Sequence, residues 1–560
     1  MTPEDDTGLR TVWVWLTLGV VYLGIAIALT WPLVGRATDG IPLGTERVAT
    51  VPLFNLWTLA WNARAVGEPG YWDAPIFHPT PAALALSEPQ PVTGLLAKGL
   101  SLVSGSVVVA YNVLLLLALA TNALVSAVAC RWVGLGWSAS IGGGLLVMTT
   151  PFVWQELGVF QLVPLAGVLG LTIGMVRFAR RPGLGSGLLW GALSAAAVGI
   201  SLQTAVFGAL ALAPLALALL RSHWRSRSAW LGLAAAAALC IALVSPFVAA
   251  QQRAFADGSG GRSDATRAKL SAKADHYLIS AWAPSWPTPG IGVAEDPGHR
   301  AFWPRTLVVL LATAACVLGW RDRTWRPYLA GALSVFLVSF FLSQAGRLDG
   351  LLLEWVRGLP GLSQIRSWFR FALFVQLALC SLATLGLHLI GQRMSVRFSS
   401  SRAAVLVLAL ALLATFEVQP SAGRIQDLPP LDLELAWLDW VQERTTPDDV
   451  LAFVPFPEGR NSSDYLGTSQ WMYWQMRHWR PMVNGYSGFF PASFRALKKT
   501  MVDFPSDESL EALGRSGVRY CVVHRAFSDL PTRVTGRSHE LTRVFRDNQH
   551  ALDIFELSPR

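Results

Sequence analysis

Glu46 is the residue of this sequence best placed for acid–base chemistry. It follows the first apolar run, in the segment LGTER of a long polar loop. A carboxylate near the outer face of a membrane accepts a proton from an incoming hydroxyl group, or holds a divalent metal ion. Asp39 offers the same chemistry in the same loop. The simpler interpretation is a solvated loop acid, with Glu46 paired to Arg47.

Two arginines form a second candidate group. Arg366 and Arg370 lie in the segment LSQIRSWFRF, directly before a late apolar run. Because they are four residues apart, they are predicted to share one helical face. A pair of guanidinium groups at the outer end of a membrane span is suited to a lipid phosphate or diphosphate. Snorkelling toward lipid headgroups is the alternative.

Glu156 is the only charged residue in residues 151–164, PFVWQELGVFQLVP. An acid at the membrane surface is costly if it faces lipid, so we expect Glu156 to face a cavity. There it would supply a second carboxylate for a metal ion or an acceptor. The candidate metal ligands are therefore Glu46, Glu156 and His78.

Aromatic and amide side chains of the first loop are candidates for sugar binding. Tyr71, Trp72 and His78 lie in the turn-rich segment YWDAPIFHPTPAA. Exposed aromatic rings stack on sugars, but they also populate the interfacial belt of membrane proteins. Asn55 belongs to the polar stripe of residues 50–62, which predict an interfacial helix lying along the membrane. That stripe either lines a polar cavity or accompanies simple anchoring.

Membrane-spanning helices must position these groups, as the composition indicates. The chain has 560 residues, of which 52% are hydrophobic and 14% charged, whereas soluble domains carry about 25% charged residues. Apolar runs of spanning length recur along the chain, which predicts a polytopic α-helical membrane protein with about eleven transmembrane helices. The predicted spans are residues 12–34, 107–132, 138–154, 163–178, 185–201, 205–220, 229–250, 306–320, 327–343, 368–390 and 403–418.

The distribution of arginine predicts the orientation. Short Arg-rich turns alternate with long polar segments, so the positive-inside rule places the N-terminus inside. The long segments, residues 35–106, 251–304, 344–367 and 419–560, then lie outside. The net charge of +9 thus reflects topology, and no nucleic-acid partner is expected. The first apolar run lacks a cleavage site and is expected to stay as an anchor in the inner (cytoplasmic) membrane.

The sequence predicts two domains. Residues 1–418 form the transmembrane domain, with large outer loops at 35–106 and 251–304. Residues 419–560 form an extracytoplasmic α/β domain with strands near 450–456, 518–523, 541–546 and 551–557. Helices are expected at 430–445 and after the N-cap Ser506. The five cysteines are scattered, which favours buried side chains over disulfides or metal sites.

These features resemble the GT-C superfamily of integral-membrane glycosyltransferases, in particular its bacterial mannosyltransferase-like and oligosaccharide-transferase-like members. The likeness rests on four parts of the sequence. An acid, Glu46, follows the first span, and residues 54–117 resemble the group's first loop and second span. The segment RSWFRF resembles its R-x-x-x-R-F signature, and VNGYSGFFP with GVRYCVVHR resembles its outer domain.

The resemblance implies transfer of a sugar from a polyprenyl-phosphate-linked donor to an extracytoplasmic glycan, lipid or protein acceptor. It implies a first-loop acid as base, a cavity between bundle and outer domain, and often a divalent metal ion such as Mg or Mn. Two other functions remain open. A lipid or glycolipid transporter is disfavoured by nearly charge-free spans without a visible repeat. A non-catalytic membrane scaffold would use the outer domain to bind a partner.

Overall fold

The architecture comes from a computed structural model that describes residues 3–258, 263–296, 300–348, 354, 358, 364–525, 537 and 539–558. Most of the described chain is helical. The helices preceding residue 420 are α1 (Pro3–Leu29), α2 (Thr50–Ala65), α3 (Pro91–Ser104), α4 (Val107–Trp132), α5 (Trp137–Met148), α6 (Pro151–Gln155), α7 (Ala166–Arg180), α8 (Leu184–Ile200), α9 (Leu202–Leu220), α10 (Arg227–Ala254), α11 (Asp264–Lys269), α12 (Thr306–Gly319), α13 (Arg326–Ser343), α14 (Ala372–Arg397) and α15 (Ser400–Phe416).

Within the described residues, seven helices are long and apolar enough to cross a membrane, so the chain is a multi-pass membrane protein. They are Thr11–Leu29, Val107–Trp132, Phe160–Arg180, Leu202–His223, Arg227–Ala254, Arg326–Ser343 and Trp368–Arg397. The other four predicted spans coincide with shorter helices, namely α5 with α6, α8, α12 and α15. The count of eleven and the orientation of the chain stay predictions.

Glycines bring α8 and α10 into close contact. Gly187 and Gly191 lie one turn apart on α8 and face Gly232 and Ala236 of α10. A Cβ atom on Gly187 would stand 2.1 Å from the carbonyl oxygen of Gly232. Lipid tails provide no hydrophobic force that would drive two helices together. Small residues favour such packing because they let the two backbones approach closely.

The first loop contains more helix than its polar character suggests. Besides α2 it forms α3, which starts with Pro91 at its first turn and ends at Gly105, whose φ is +70°. Helix α2 is buried against α3 and the C-terminal part, and does not lie exposed along a membrane surface. Trp57 of α2 donates a hydrogen bond of 3.0 Å to Gln475.

The C-terminal part carries a four-stranded sheet, as the sequence predicts. Its strands and helices, with the short strands that precede them, are β1 (Gly40–Pro42), β2 (Ile279–Ser280), β3 (Gly292–Val293), β4 (Ile425–Asp427), α16 (Ala436–Arg444), β5 (Val450–Val454), α17 (Leu466–His478), α18 (Ala492–Thr500), α19 (Asp507–Arg515), β6 (Val518–His524), β7 (Leu541–Asp547) and β8 (Leu552–Leu557). The sheet order is β5-β6-β8-β7, with β5 and β6 parallel and the other pairs antiparallel.

Strand β1 of the first loop pairs with β4 in an antiparallel ladder, Gly40 opposite Asp427. The N–H of Leu43 donates to the carbonyl of Arg424, at 2.9 Å, and that of Gly44 to Ala422, at 3.0 Å. These bonds fix the start of the first loop to the chain that leaves α15. Whether residue 418 divides two domains stays a prediction, since one hydrophobic core contains buried residues from both sides of it.

Candidate functional site

A cavity of about 960 Å³ lies between the helices and the C-terminal part. This is close to the upper end of the size range of ligand sites, about 300–1,000 Å³. Its walls come from the first loop, α9, α10 and α11, the turn before α14, and two loops of the C-terminal part. The charged residues that line it are Glu46, Arg47, Glu88, Glu156, Lys269, Arg300, Arg366, Arg370 and Arg460.

Glu46 is held at the cavity wall by a tight turn. Its N–H donates to the carbonyl of Leu43 at 2.9 Å. Gly44 has a φ of +57°, and a Cβ atom there would lie 2.7 Å from the carbonyl oxygen of Gln155. The N–H and hydroxyl of Thr45 donate to that same oxygen, at 3.0 and 2.9 Å. The turn is therefore fixed to the end of α6, immediately before Glu156.

Glu46 is only partly exposed, and its environment raises its pKa to about 7. Burial is the largest cause, the neighbouring Glu156 carboxylate adds to it, and Arg370 opposes it. Burial likewise raises the pKa of Glu156, against the influence of Arg370 and Arg300. At neutral pH, Glu46 is thus a carboxyl group that readily exchanges a proton.

Arg370 lies among these acids. Its guanidinium is 3.6 Å from the Glu156 carboxylate and donates to the side chain of Gln203 on α9. The buried rings of Trp368 and Phe371 fix the turn that carries it. Its Nε is buried without a hydrogen-bond partner among the described residues. A bound anion would satisfy that donor.

Arg366 lines the same cavity as Arg370 but is more exposed to it. The predicted shared helical face is wrong, because a 3₁₀ turn, Trp368–Phe371, precedes α14 and Arg366 lies before that turn in extended chain. The surrounding protein desolvates Arg366 and lowers its pKa, and the Arg370 charge lowers it further. No hydrogen bond or ion pair of its side chain occurs within the described residues, so the charge is available to a ligand.

Arg300 extends this basic wall. It donates to the backbone carbonyls of Lys269 and Ser271, at 2.7 and 3.1 Å, and its guanidinium lies 4.6 Å from the ring centre of Phe369. Burial lowers its pKa, while the charge of Glu156 opposes that effect. Lys269 lines the cavity beside it. The wall therefore presents several cations to one cavity.

Two further cavity residues were not among the sequence candidates. Glu88 accepts a hydrogen bond of 3.0 Å from the Ser201 hydroxyl, next to the first residues of α9. Burial raises its pKa to about 7, against the influence of Arg370. Tyr486 lines the cavity from the C-terminal part. Its segment, VNGYSGFFP, is one of the parts of the sequence that carry the family resemblance. That likeness is the only signal in the sequence that points to Tyr486.

The remaining sequence candidates lie outside the cavity lining. Asp39 pairs with Arg36 at 2.9 Å beside β1. Asn55 is fully buried and donates to the carbonyl of Val51 at 2.9 Å. The Tyr71 hydroxyl donates to Asn62 at 2.6 Å.

Two aromatic candidates also pack away from the acids. The Trp72 ring lies 6.0 Å from that of Phe247, which lines the cavity, whereas Trp72 itself does not. The N–H of His78 donates to the carbonyl of Met482 at 3.0 Å, and burial lowers the pKa of its imidazole. None of these contacts brings either side chain to Glu46.

The described residues do not fit a metal site with the predicted ligands. No group of three or more His, Cys, Asp and Glu side chains in that part of the chain stands close enough to hold a metal ion. Glu46 and Glu156 act on each other electrostatically, but His78 lies against Gly517 and outside the cavity lining. No step is therefore assigned to a metal ion.

Solved structures share this fold, although the sequence matches no protein-family model and no curated protein. Arabinofuranosyltransferase AftD from Mycobacteria superposes with a TM-score of 0.58 at 14% identity, over 97% of this chain. A mutant of AftD gives 0.56 at 13% identity, again over 97%. An oligosaccharyltransferase from Archaeoglobus fulgidus gives 0.43 at 12% identity, over 91% of this chain and 69% of its own.

The chain spans about 40% of the length of AftD, since 40% and 41% of the two AftD chains are covered. At this level of identity the likeness concerns the fold, and a fold does not by itself define an activity. The chain therefore shares the fold of the matched part of arabinofuranosyltransferase AftD.

Proposed function

We propose that this protein is a membrane glycosyltransferase that moves a sugar from a polyprenyl-phosphate-linked donor to an extracytoplasmic acceptor. The observation that carries the proposal is the presence of a carboxyl group with a pKa of about 7 and several arginines in one cavity. The GT-C fold supports the same class of reaction. The proposal includes an inner-membrane location, with residues 419–560 outside the cytoplasm.

Glu46 is the proposed base. Transfer requires that the acceptor hydroxyl lose its proton as its oxygen bonds to the anomeric carbon of the sugar. A base is most effective when its pKa lies near the working pH, and burial beside Glu156 gives Glu46 a pKa of about 7. Its position at the cavity wall is fixed through Thr45 and Gln155.

Arg366 and Arg370 are proposed to hold the phosphate. As the bond between the anomeric carbon and the phosphate oxygen breaks, negative charge grows on the departing phosphate. Preorganised cations stabilise such charge more strongly in an enclosed site than in water. The uncompensated side chain of Arg366 and the unpartnered Nε of Arg370 supply these contacts, and Arg300 and Lys269 reinforce the field.

The test is a deletion strain that carries either the wild-type gene or a variant, with mass spectrometry of its lipid-linked sugars and envelope glycans. Glu46→Gln is expected to abolish the product and let the donor accumulate, at normal protein abundance. Glu68→Gln is the matched control, because Glu68 is an exposed acid of the same loop outside the cavity lining. An unchanged glycan in the Glu46→Gln strain refutes the assignment of the base.

The same strains separate the two other functions. A scaffold loses no glycan when Glu46 alone is changed. If the protein is a transporter, its loss leaves the donor on the cytoplasmic face. If it is a transferase, loss of its base leaves the donor on the face where transfer occurs. Sidedness is measured by the accessibility of the lipid-linked sugar to a membrane-impermeant oxidant in oriented vesicles.

A further inference from the structure

The loop at residues 484–490 enters the cavity from the C-terminal part and is firmly held. The Asn484 side chain is buried and bonds both the N–H and the carbonyl of Phe453, at 2.7 and 2.9 Å. The N–H of Phe77 donates to the carbonyl of Asn484 at 3.1 Å, and that of Phe489 to Leu86 at 3.0 Å. The loop is therefore tied to the sheet and to the first loop on both sides of Tyr486.

Aromatic neighbours fix the ring of Tyr486. Phe54 of α2 packs edge-on against it, with ring centres 5.7 Å apart and planes at 81°. Tyr465 and Phe490 pack at 5.5 and 6.0 Å. Such contacts hold a ring in one orientation. The ring still lines the cavity, so part of it remains open to a ligand.

The charges of the proposed base and of the proposed phosphate-binding arginines act on Tyr486. The Glu46 carboxylate raises the pKa of the Tyr486 phenol, and the charges of Arg366 and Arg370 lower it. Burial raises the pKa of the phenol, which therefore stays protonated at neutral pH. Within the described part of the chain, its hydroxyl has no hydrogen-bond partner. It is an unused donor at the wall of the cavity.

We propose that Tyr486 binds the ring of the transferred sugar and thereby helps to select it. This rests on the proposed function. In that reaction the acceptor oxygen bonds to the anomeric carbon, the bond from that carbon to the phosphate oxygen breaks, and the acceptor proton passes to Glu46. The sugar must then lie between Glu46 and the arginines, and Tyr486 lines the same cavity and is close enough to all three for their charges to act on it.

The chemistry of the side chain indicates the class of sugar. An aromatic ring packs against the C–H face of a pyranose or furanose, and the phenol donates to a ring hydroxyl or the ring oxygen. A neutral pentose or hexose fits such a platform.

The experiment measures binding of synthetic polyprenyl phosphates to the full-length protein in lipid nanodiscs. One ligand is the bare phosphate, and the others carry arabinofuranose, mannose, glucose or glucuronic acid. Wild-type protein is expected to bind one neutral-sugar lipid more tightly than the bare phosphate. Tyr486→Ala is expected to lose about 3- to 10-fold in affinity for that lipid, as one lost aromatic contact predicts, and none for the bare phosphate.

Affinity for the bare phosphate is the internal control for folding. Tyr486→Phe keeps the ring, and its affinity for the bare lipid should stay within about twofold of that of the wild type. Arg366→Ala should weaken all the ligands alike. Equal losses of Tyr486→Ala on bare and sugar-bearing lipids, no loss on either, or tightest binding of glucuronic acid would each overturn the inference alone. A wild-type protein that binds no polyprenyl phosphate overturns the proposed function, and this inference with it.

Discussion

The raised pKa of Glu46 predicts how the rate of sugar transfer depends on pH. A base works only when it is deprotonated, so the rate is lost as the pH falls through the pKa of the base. With a pKa of about 7, half of the Glu46 carboxyl groups are ionised at pH 7 and about 1% at pH 5. The rate should therefore fall about 50-fold between these values. A glutamate with its ordinary pKa of 4.5 would change the rate by less than about twofold over the same range.

Neighbouring charges allow a sharper version of this test. Glu156→Gln removes a negative charge that raises the pKa of Glu46 and leaves Arg370, which lowers it. The acid limb of the profile should then move to lower pH, by about one unit. Glu88→Gln is the control, since Glu88 is not among the charges that act on Glu46, and the limb should stay near pH 7.

The assay is the initial rate of transfer from the lipid-linked donor in membranes that contain each variant, from pH 5 to 8.5. The donor is kept at a saturating concentration, so that the pH dependence of phosphate binding does not determine the pH–rate profile. A wild-type acid limb near pH 4.5 would refute the reasoning from burial. A limb that does not move in Glu156→Gln would show that the two acids are not coupled.

Two pairs of glycine substitutions, each a test variant and its control, examine the packing around the site and in the membrane helices. Gly44→Ala forces a side chain into the carbonyl of Gln155 and should shift Glu46 enough to reduce kcat about 100-fold. Gly67→Ala has a similar positive φ but open space around it, and should keep its activity. Gly187→Val pushes α8 from α10 and should lower unfolding free energy by about 1–3 kcal/mol in detergent. Gly185→Val lies on the same helix with nothing within 4 Å of its Cβ, and should not lower the unfolding free energy. Equal losses for the two variants of either pair would contradict the packing argument.

The helices could be predicted from the sequence because apolar runs are a local property. The predicted span 107–132 coincides with α4, which begins after the N-cap Ser106. The predicted span 138–154 is instead divided, since α5 ends at Met148 and Pro151 begins α6. A proline removes a backbone donor and crowds the preceding turn, so it starts a new helix more easily than it continues one.

The sequence of the first loop predicts two short amphipathic pieces around a turn-rich middle, and α2 and α3 lie on the two sides of that middle. Most residues of α3 are apolar and Pro91 is a helix-start signal. Leu102 and Val103 are among its most exposed side chains, at 80% and 89%. A short apolar helix of this kind does not reach the length by which membrane spans are recognised.

The centre of the candidate site could not be derived from the sequence, because its members are distant along the chain. Glu46 and Glu156 are brought together by the bond from Thr45 to Gln155, across 110 positions. Arg370 and Tyr486 arrive from still later segments. Residue type and membrane side suggested Glu46, Glu156 and the arginines, whereas the choice among loop aromatics depended on packing that only the structure supplies.

The contact between Thr45 and Gln155 has a chemical consequence. It places two carboxyl groups near Arg370 in one cavity. Burial raises the pKa of both acids, but the cations act on them unequally, because Arg370 and Arg300 lower the pKa of Glu156 whereas Arg370 alone lowers that of Glu46. Glu156, 3.6 Å from Arg370, has the direct contact, which leaves Glu46 as the group that exchanges its proton. In this arrangement Glu156 acts on both Arg370 and Glu46, so the proposed phosphate-binding arginine and the proposed base are coupled through the same acid.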